Sequence, residues 1–255
     1  MTGIETNVEG KVALVTGGSR GIGKAVAASL ADAGAKVMIT SRKADVCEEA
    51  ADEIGHGCQW RAANVGDAQA ASSVVDDTIA AFGGLDILVN NAATNPYAGP
   101  VIETDIPRWE KTFQINLTAP LQWTQIAWNA AMQDRGGSIV NVASVGAFGT
   151  SRFIGSYNIS KSALMHLTRQ LAAELSPQVR VNAVAPGLVK TDFARFLWEG
   201  DKEAAAAAMY PLDRIGEVGD IANAVHYLAS DAAGWVTGQT LVLDGGGLIR
   251  FSEEI

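Results

Sequence analysis

The run Lys11-Val12-Ala13-Leu14-Val15-Thr16-Gly17-Gly18-Ser19-Arg20-Gly21-Ile22-Gly23 decides the fold. Lys11 to Thr16 is a short, β-branched strand pattern. A glycine-rich turn follows. Ile22, Val26, Ala27 and Leu30 then recur at helical spacing until Gly34. Lys36 to Thr40 reads as a second strand. Strand, glycine turn, helix and strand make a βαβ unit, the context that a dinucleotide-binding turn requires. The spacing Gly17-x-x-x-Gly21-x-Gly23 differs from the commoner G-x-G-x-x-G. Its physics is the same: glycines let backbone approach a pyrophosphate, and a helix N-terminus offers free N–H groups and a positive dipole end. Without a ligand the same residues make a tight strand-to-helix turn.

Outward from this unit, helical and strand patterns alternate along the chain. Asp45 to Ile54 and Asp67 to Phe82 read as helices, Gly57 to Ala62 and Asp86 to Val89 as strands. A long helical stretch runs from Thr104 to Gln133, broken only by Pro107 and Pro120. Ser138 to Ala143 and Val179 to Ala185 are the fifth and sixth strands. Glu217 to Ser230 is a helix, and Thr240 to Leu243 the last strand. Such alternation implies an α/β fold with a parallel sheet covered on both faces. With no linker, repeat or charge run, residues 1–255 read as one domain. The connection from Leu188 to Arg214 is too long for an ordinary loop and is expected to form a substrate lid at about 188–214.

Of 255 residues 48% are hydrophobic, enough for a well-buried core. No apolar run reaches the roughly 18 residues of a membrane span. The polar stretch Met1 to Gly10 resembles neither a secretory nor a transit peptide, and Ser252 to Ile255 carries no targeting tripeptide. Cys47 and Cys58 lack metal-ligand spacing and suit a reducing cytoplasm. A net charge of −9 argues against nucleic acid. No metal is expected.

A carboxylate just past the second strand would hold the ribose hydroxyls of NAD, whereas arginine accepts the 2′-phosphate of NADP. This chain has Ser41-Arg42-Lys43 there, with Arg20 inside the glycine turn. NADP(H) is therefore expected over NAD(H), although Arg42 and Lys43 also suit the start of a solvated helix. Asn90-Asn91-Ala92-Ala93 ends the fourth strand with small residues over which a cofactor can lie. Tyr157 and Lys161 are four apart, hence about 5–6 Å apart at Cβ on one helix face. An ammonium there is expected to lower the phenol pKa toward a range useful for proton transfer. Ser144 follows a strand and can hydrogen-bond a carbonyl or alcohol oxygen. The pair by itself also occurs as an ordinary amphipathic contact.

From Gly10 to Leu248 the chain resembles the short-chain dehydrogenases/reductases. The residues carrying the likeness are Thr16-Gly17-x-x-x-Gly21-x-Gly23, Asn90-Asn91-Ala92-Ala93, Asn116, Ser144, Tyr157-x-x-x-Lys161, and Pro186-Gly187 with Thr191. Asn95-Pro96, Gly146-Ala147-Phe148 and the stretch from Pro186 to Trp198 are similar to NADPH-dependent carbonyl and retinal reductases of animal peroxisomes. Similarity to bacterial 3-oxoacyl-carrier-protein reductases is also broad. The resemblance implies a Rossmann fold, doubly wound around a seven-stranded parallel sheet, and a homotetramer. It implies that Tyr157 is the general acid and that Lys161 lowers its pKa and holds the nicotinamide ribose. Ser144 would steady the alkoxide, and Asn116 would hold a water linking Lys161 to solvent. The cofactor would meet Gly17, Ser19, Arg20, Gly21, Ile22 and Gly23 in the turn, Ser41 and Arg42 after it, and Asn64 and Val65 at the adenine. Asn91, Ala92, Ala93, Pro186, Gly187, Val189 and Thr191 would complete that site. Asn64 stands where many members have Asp, and Ala93 where glycine is common.

Val145, Phe148, Phe153, Phe193, Phe196 and Trp198, with Asn95 and Tyr97 as polar points, are expected to wall a pocket for a bulky apolar ketone or aldehyde. The favoured reading is an NADPH-dependent carbonyl reductase. The alternatives are a 3-oxoacyl-thioester reductase, an alcohol dehydrogenase working toward oxidation, and a non-catalytic dinucleotide-binding regulator. Trp109, Phe113, Trp123 and Trp128 make the long helical stretch apolar on several sides, which points to subunit contact.

Overall fold

The computed structural model describes residues 6–249; the readings of Met1 to Glu5 and of Ser252 to Ile255 lie outside the described residues. Strand β1 (Val12–Thr16) is buried along its whole length. Its side chains alternate between faces. Ala13 and Val15 enter one core and Leu14 the other. Helix α1 (Gly21–Asp32) turns Val26, Ala27 and Leu30 inward and leads to β2 (Lys36–Ser41). Then follow α2 (Ala44–Ile54), the largely exposed β3 (Gln59–Ala62), α3 (Ala68–Phe82) and β4 (Ile87–Asn90). Asp67 caps α3 by accepting from the N–H groups of Gln69 and Ala70, as an N-cap aspartate does.

The stretch read as one helix is composite. It comprises α4 (Ile106–Phe113), a π-helical turn (Gln114–Thr118), α5 (Ala119–Ala127), a second π-helical turn (Trp128–Met132) and α6 (Gln133–Arg135). Pro107 does not break it: it occupies the first turn of α4, where no N–H is needed. Pro120 sits in the first turn after a π bulge. Strand β5 (Gly137–Val142), α7 (Gly155–Leu175) and β6 (Val179–Pro186) follow. The long connection after β6 holds two short helices, α8 (Arg195–Trp198) and α9 (Lys202–Ala207), before α10 (Val218–Ala229) and β7 (Thr240–Leu243).

All seven strands are parallel, in the order β3-β2-β1-β4-β5-β6-β7. Helices α1, α2 and α10 cover one face. Helices α3 and α5 and the C-terminal part of α7 cover the other. Chain order reverses between β1 and β4, and in such open sheets ligands bind beyond the strand carboxyl ends at that switch point. The glycine turn after β1 and the asparagines after β4 therefore face one crevice. Among the described residues no helix is long and apolar enough to cross a membrane.

Candidate active site

Close packing explains the glycine turn. A Cβ on Gly23 would fall 2.3 Å from the carbonyl oxygen of Gly17, and one on Gly17 would fall 2.9 Å from Asn91 Nδ2. Gly17 and Gly21 also have φ of +66° and +54°, which side-chain-bearing residues rarely adopt. Arg20 is the N-cap of α1 without any side-chain cap bond, and no acid stands in the first turn. The free N–H groups and the dipole end are thus left for an anion. Ser19 is buried, and Ile22 packs against the core. Arg20 and Arg42 are exposed, and neither forms an ion pair among the described residues. Ser41 Oγ lies 3.1 Å from Cys47 Sγ. These features fit an anionic dinucleotide.

Asn91 has a structural duty as well. Its Nδ2 donates to the carbonyls of Thr16 (2.9 Å) and Gly17 (3.1 Å), tying the end of β4 to the glycine turn. Thr16 Oγ1 accepts from the N–H groups of Asn91 and Ala92. Both amide protons of Asn91 are spent within the chain, so only its Oδ1 is left for a ribose or carboxamide. Ala92 packs against the core and Ala93 is exposed. The Asn64 side chain accepts from Gly66 N (3.2 Å) at an exposed turn. The Val65 side chain is buried in the core beneath it, and Trp123 Nε1 donates to its carbonyl (3.0 Å). Trp123, expected at a subunit contact, is therefore 1% exposed inside the subunit.

Helix α7 carries Tyr157 and Lys161 one turn apart. Two polar ties dock it on β5: Lys161 Nζ donates to Val142 O (2.6 Å), and Asn141 Nδ2 donates to Thr168 Oγ1 (2.9 Å). Asn90 Nδ2 in turn donates to Asn141 Oδ1 (2.9 Å), completing a buried amide chain that the strand patterns did not reveal. The Lys161 ammonium lies 5.6 Å from the centre of the Tyr157 ring. The expected fall in the phenol pKa is not what this geometry gives. Burial dominates, pushing the phenol up to about 12 against a smaller lowering by the Ser144 hydrogen bond. Burial also brings the Lys161 ammonium down to about 7. An i,i+4 spacing specifies proximity, whereas desolvation acts on each charge separately.

Ser144 follows β5 and caps a 3₁₀ turn, Val145–Phe148, its Oγ accepting from Gly146 N (3.1 Å). That bond uses a lone pair of the hydroxyl, and its proton can be donated to the neighbouring Tyr157 phenol oxygen. Asn116 lies in the first π-helical turn and is wholly buried. Its side chain accepts from Thr94 N (2.8 Å) and donates to Thr94 O (2.9 Å) and Ser160 Oγ (3.0 Å). Ser160 also donates to Tyr157 O (2.7 Å). The Asn116 amide thus braces α7 against the segment that holds Thr94.

The expected pocket residues divide. Phe193 places its ring 6.1 Å from the Tyr157 ring, tilted by 42°. Phe148, Phe153, Phe193 and Phe196 are all at least half exposed, while Val145 and Trp198 are partly buried. Gly99 N donates to Phe153 O (2.9 Å), bringing the segment that holds Asn95 and Tyr97 beside the start of α7. Asn95 Oδ1 and Trp198 Nε1 are buried without hydrogen-bond partners among the described residues. Tyr97 packs under Arg108 at 5.8 Å. Pro186 closes β6 opposite Leu243, and a Cβ on Gly187 would fall 3.0 Å from Asp244 Cα. Val189 is buried and bridges Gly216, closing the base of the long connection. Lys190 there pairs with Glu203 of α9 (2.7 Å) and Glu217 (3.1 Å), and Thr191 reaches back over Gly21. Sequence reasoning missed this ion trio, whose members are far apart in the chain.

The family model described as enoyl-(acyl carrier protein) reductase matches residues 17–247. The human protein dehydrogenase/reductase SDR family member 4 is 40% identical over 241 residues, covering 92% of this chain and 87% of that protein. The structure of a short-chain type dehydrogenase/reductase from Mycobacterium ulcerans superposes with a TM-score of 0.91 at 35% identity, covering 96% of this chain and 92% of the other. A short-chain type dehydrogenase/reductase from Mycobacterium marinum gives 0.90 at 32% identity, covering 96% and 98%.

Proposed function

This chain belongs to the short-chain dehydrogenase/reductase family, an oxidoreductase family acting on the alcohol/carbonyl couple with a nicotinamide dinucleotide, and from that premise we propose that it reduces apolar ketones or aldehydes, preferring NADPH. The observation that carries this reading is the meeting of Ser144 with the Tyr157 phenol, with Lys161 one helical turn away.

When bound, the nicotinamide cofactor supplies a hydride; the rest of the chemistry falls to side chains. Tyr157, held protonated at neutral pH by burial, gives its phenolic proton to the substrate oxygen as that oxygen gains charge. Ser144, which accepts from Gly146 N, would turn its hydroxyl proton from the phenol to the same oxygen, a second donor beside the first. Lys161, with an ammonium near neutrality on the pH scale, stands ready to balance the phenolate left behind. A phenol that keeps its proton at pH 7 is poised for reduction; oxidation needs that proton removed first.

The free Arg20 and Arg42 support NADPH over NADH, since an arginine offers a forked, permanently charged partner for a 2′-phosphate. Half-exposed Phe193, its ring beside that of Tyr157, supports an apolar substrate and a lid role for residues 188–214. Self-association to a tetramer is supported by β7, which pairs on one side only, by Leu241 exposed on it and by Trp235 exposed ahead of it in the chain. A turnover screen of ketones, aldehydes, quinones and acyl thioesters with both cofactors tests the proposal. Turnover of bulky apolar carbonyls with NADPH is expected; activity confined to acyl thioesters, or a strong NADH preference, would overturn it.

A further inference from the structure

We propose that Asn158 and Ser162 are positioning residues that hold the Ser144 hydroxyl in register with the Tyr157 phenol. They follow Tyr157 and Lys161 by one residue each, so they form a second i,i+4 pair on the adjoining stripe of α7. Both reach the 3₁₀ turn that Ser144 caps. Ser162 Oγ donates to Ala147 O (2.7 Å). Asn158 fills the space over Gly146: a Cβ there would lie 2.2 Å from Asn158 Oδ1 and 2.9 Å from its Cγ. Asn158 is 6% exposed, and its Oδ1 is buried with no hydrogen-bond partner among the described residues. A buried acceptor left unpaired calls for an explanation. Here the amide occupies the space that a Cβ on Gly146 would need.

Gly146 matters because its N–H is the donor that Ser144 Oγ accepts. That bond occupies a lone pair of the hydroxyl and leaves its proton available to the Tyr157 phenol or, in the proposed reaction, to a substrate oxygen. Any sideways shift of Gly146 rotates or releases the hydroxyl. One rigid helix thus carries the acid on one stripe and sets the neighbouring donor from the next, keeping their separation independent of the loop's own motion. The inference rests on the proposed catalytic role of Ser144.

The test is a set of double-mutant cycles, read as steady-state reduction with NADPH. Gly146→Ala should lower kcat roughly 10- to 100-fold, the scale of an ångström's misplacement of a reacting group, with cofactor KM unchanged. Adding Asn158→Ala removes the clashing amide and should restore activity above that of Gly146→Ala alone. Ser162→Ala should lower kcat less, and Ser162→Thr, which keeps the hydroxyl, should not. Every one of these losses should vanish in a Ser144→Ala background, which a general loss of packing would not allow. The inference is overturned if the losses persist in that background, or if the double variant is no better than Gly146→Ala. Should Gly146→Ala not fold, Asn158→Ala and Ser162→Ala with and without Ser144→Ala decide the same question. Full turnover of Ser144→Ala itself would instead sink the site reading beneath it.

Discussion

Replacing Lys161 by Met keeps the side chain's reach and removes its charge. Lys161 is 1% exposed, and burial lowers its ammonium from 10.5 to about 7. At about 1.4 kcal/mol per pH unit, keeping it inside costs the fold about 5 kcal/mol in acid. Between pH 7 and 10.5 the unfolded chain holds the proton while the folded one has released it, so stability rises with pH through that window. At pH 9 the cost has fallen to about 2 kcal/mol. Tyr157 does not interfere: its phenol is raised to about 12, so it lowers stability only above about pH 10, where the unfolded phenol ionises. Urea unfolding of both proteins at pH 6 and pH 9, at equal protein concentration, should show the stability difference moving by about 3 kcal/mol in favour of the wild type at pH 9. Losing the bond to Val142 O shifts both pH values alike and drops out. Parallel stabilities at the two pH values would refute the reasoning.

Arg42→Ala should raise the KM for NADPH roughly 10- to 100-fold, the scale of one charge-assisted hydrogen bond, and leave that for NADH unchanged; adding Arg20→Ala should deepen the same effect. Steady-state kinetics with each cofactor checks it, and an equal loss for both would count against a 2′-phosphate site. Gly23→Ala would place a Cβ 2.3 Å from Gly17 O. It should abolish dinucleotide binding by fluorescence titration and lower the melting temperature; undisturbed binding would mean that the turn yields easily.

Much of the fold could be read because the determining signals are local. Lys11 to Gly23 carries strand period, glycine turn and helix start within 13 residues, and each later strand repeats the first part of that pattern. The long helical stretch could not be resolved the same way. A π-helical turn such as Gln114–Thr118 adds a residue without changing composition, and Pro107 reads alike as a breaker or a first-turn residue. At the site, residue types were readable but atoms were not. Asn91 and Asn116 stand out in sequence, yet which of their donors is spent on Thr16, Gly17, Thr94 and Ser160 depends on contacts up to 75 residues away. The phenol–ammonium pair was visible from spacing, while the depth of burial that governs both pKa values is a property of the packed whole. Asn141 and Asn182, lone amides inside apolar strands, are the sequence signal for these buried polar links.

The most direct measurement compares the wild type with Tyr157→Phe in single-turnover reduction of an apolar ketone by NADPH, alongside a fluorescence titration of the cofactor. The phenol is the proposed proton donor, and its ring packs beside Phe193 with or without the hydroxyl. A fall in the rate of roughly 10²- to 10⁴-fold, the range for loss of a general acid, with NADPH affinity unchanged, is the expected result. Undiminished turnover would contradict it.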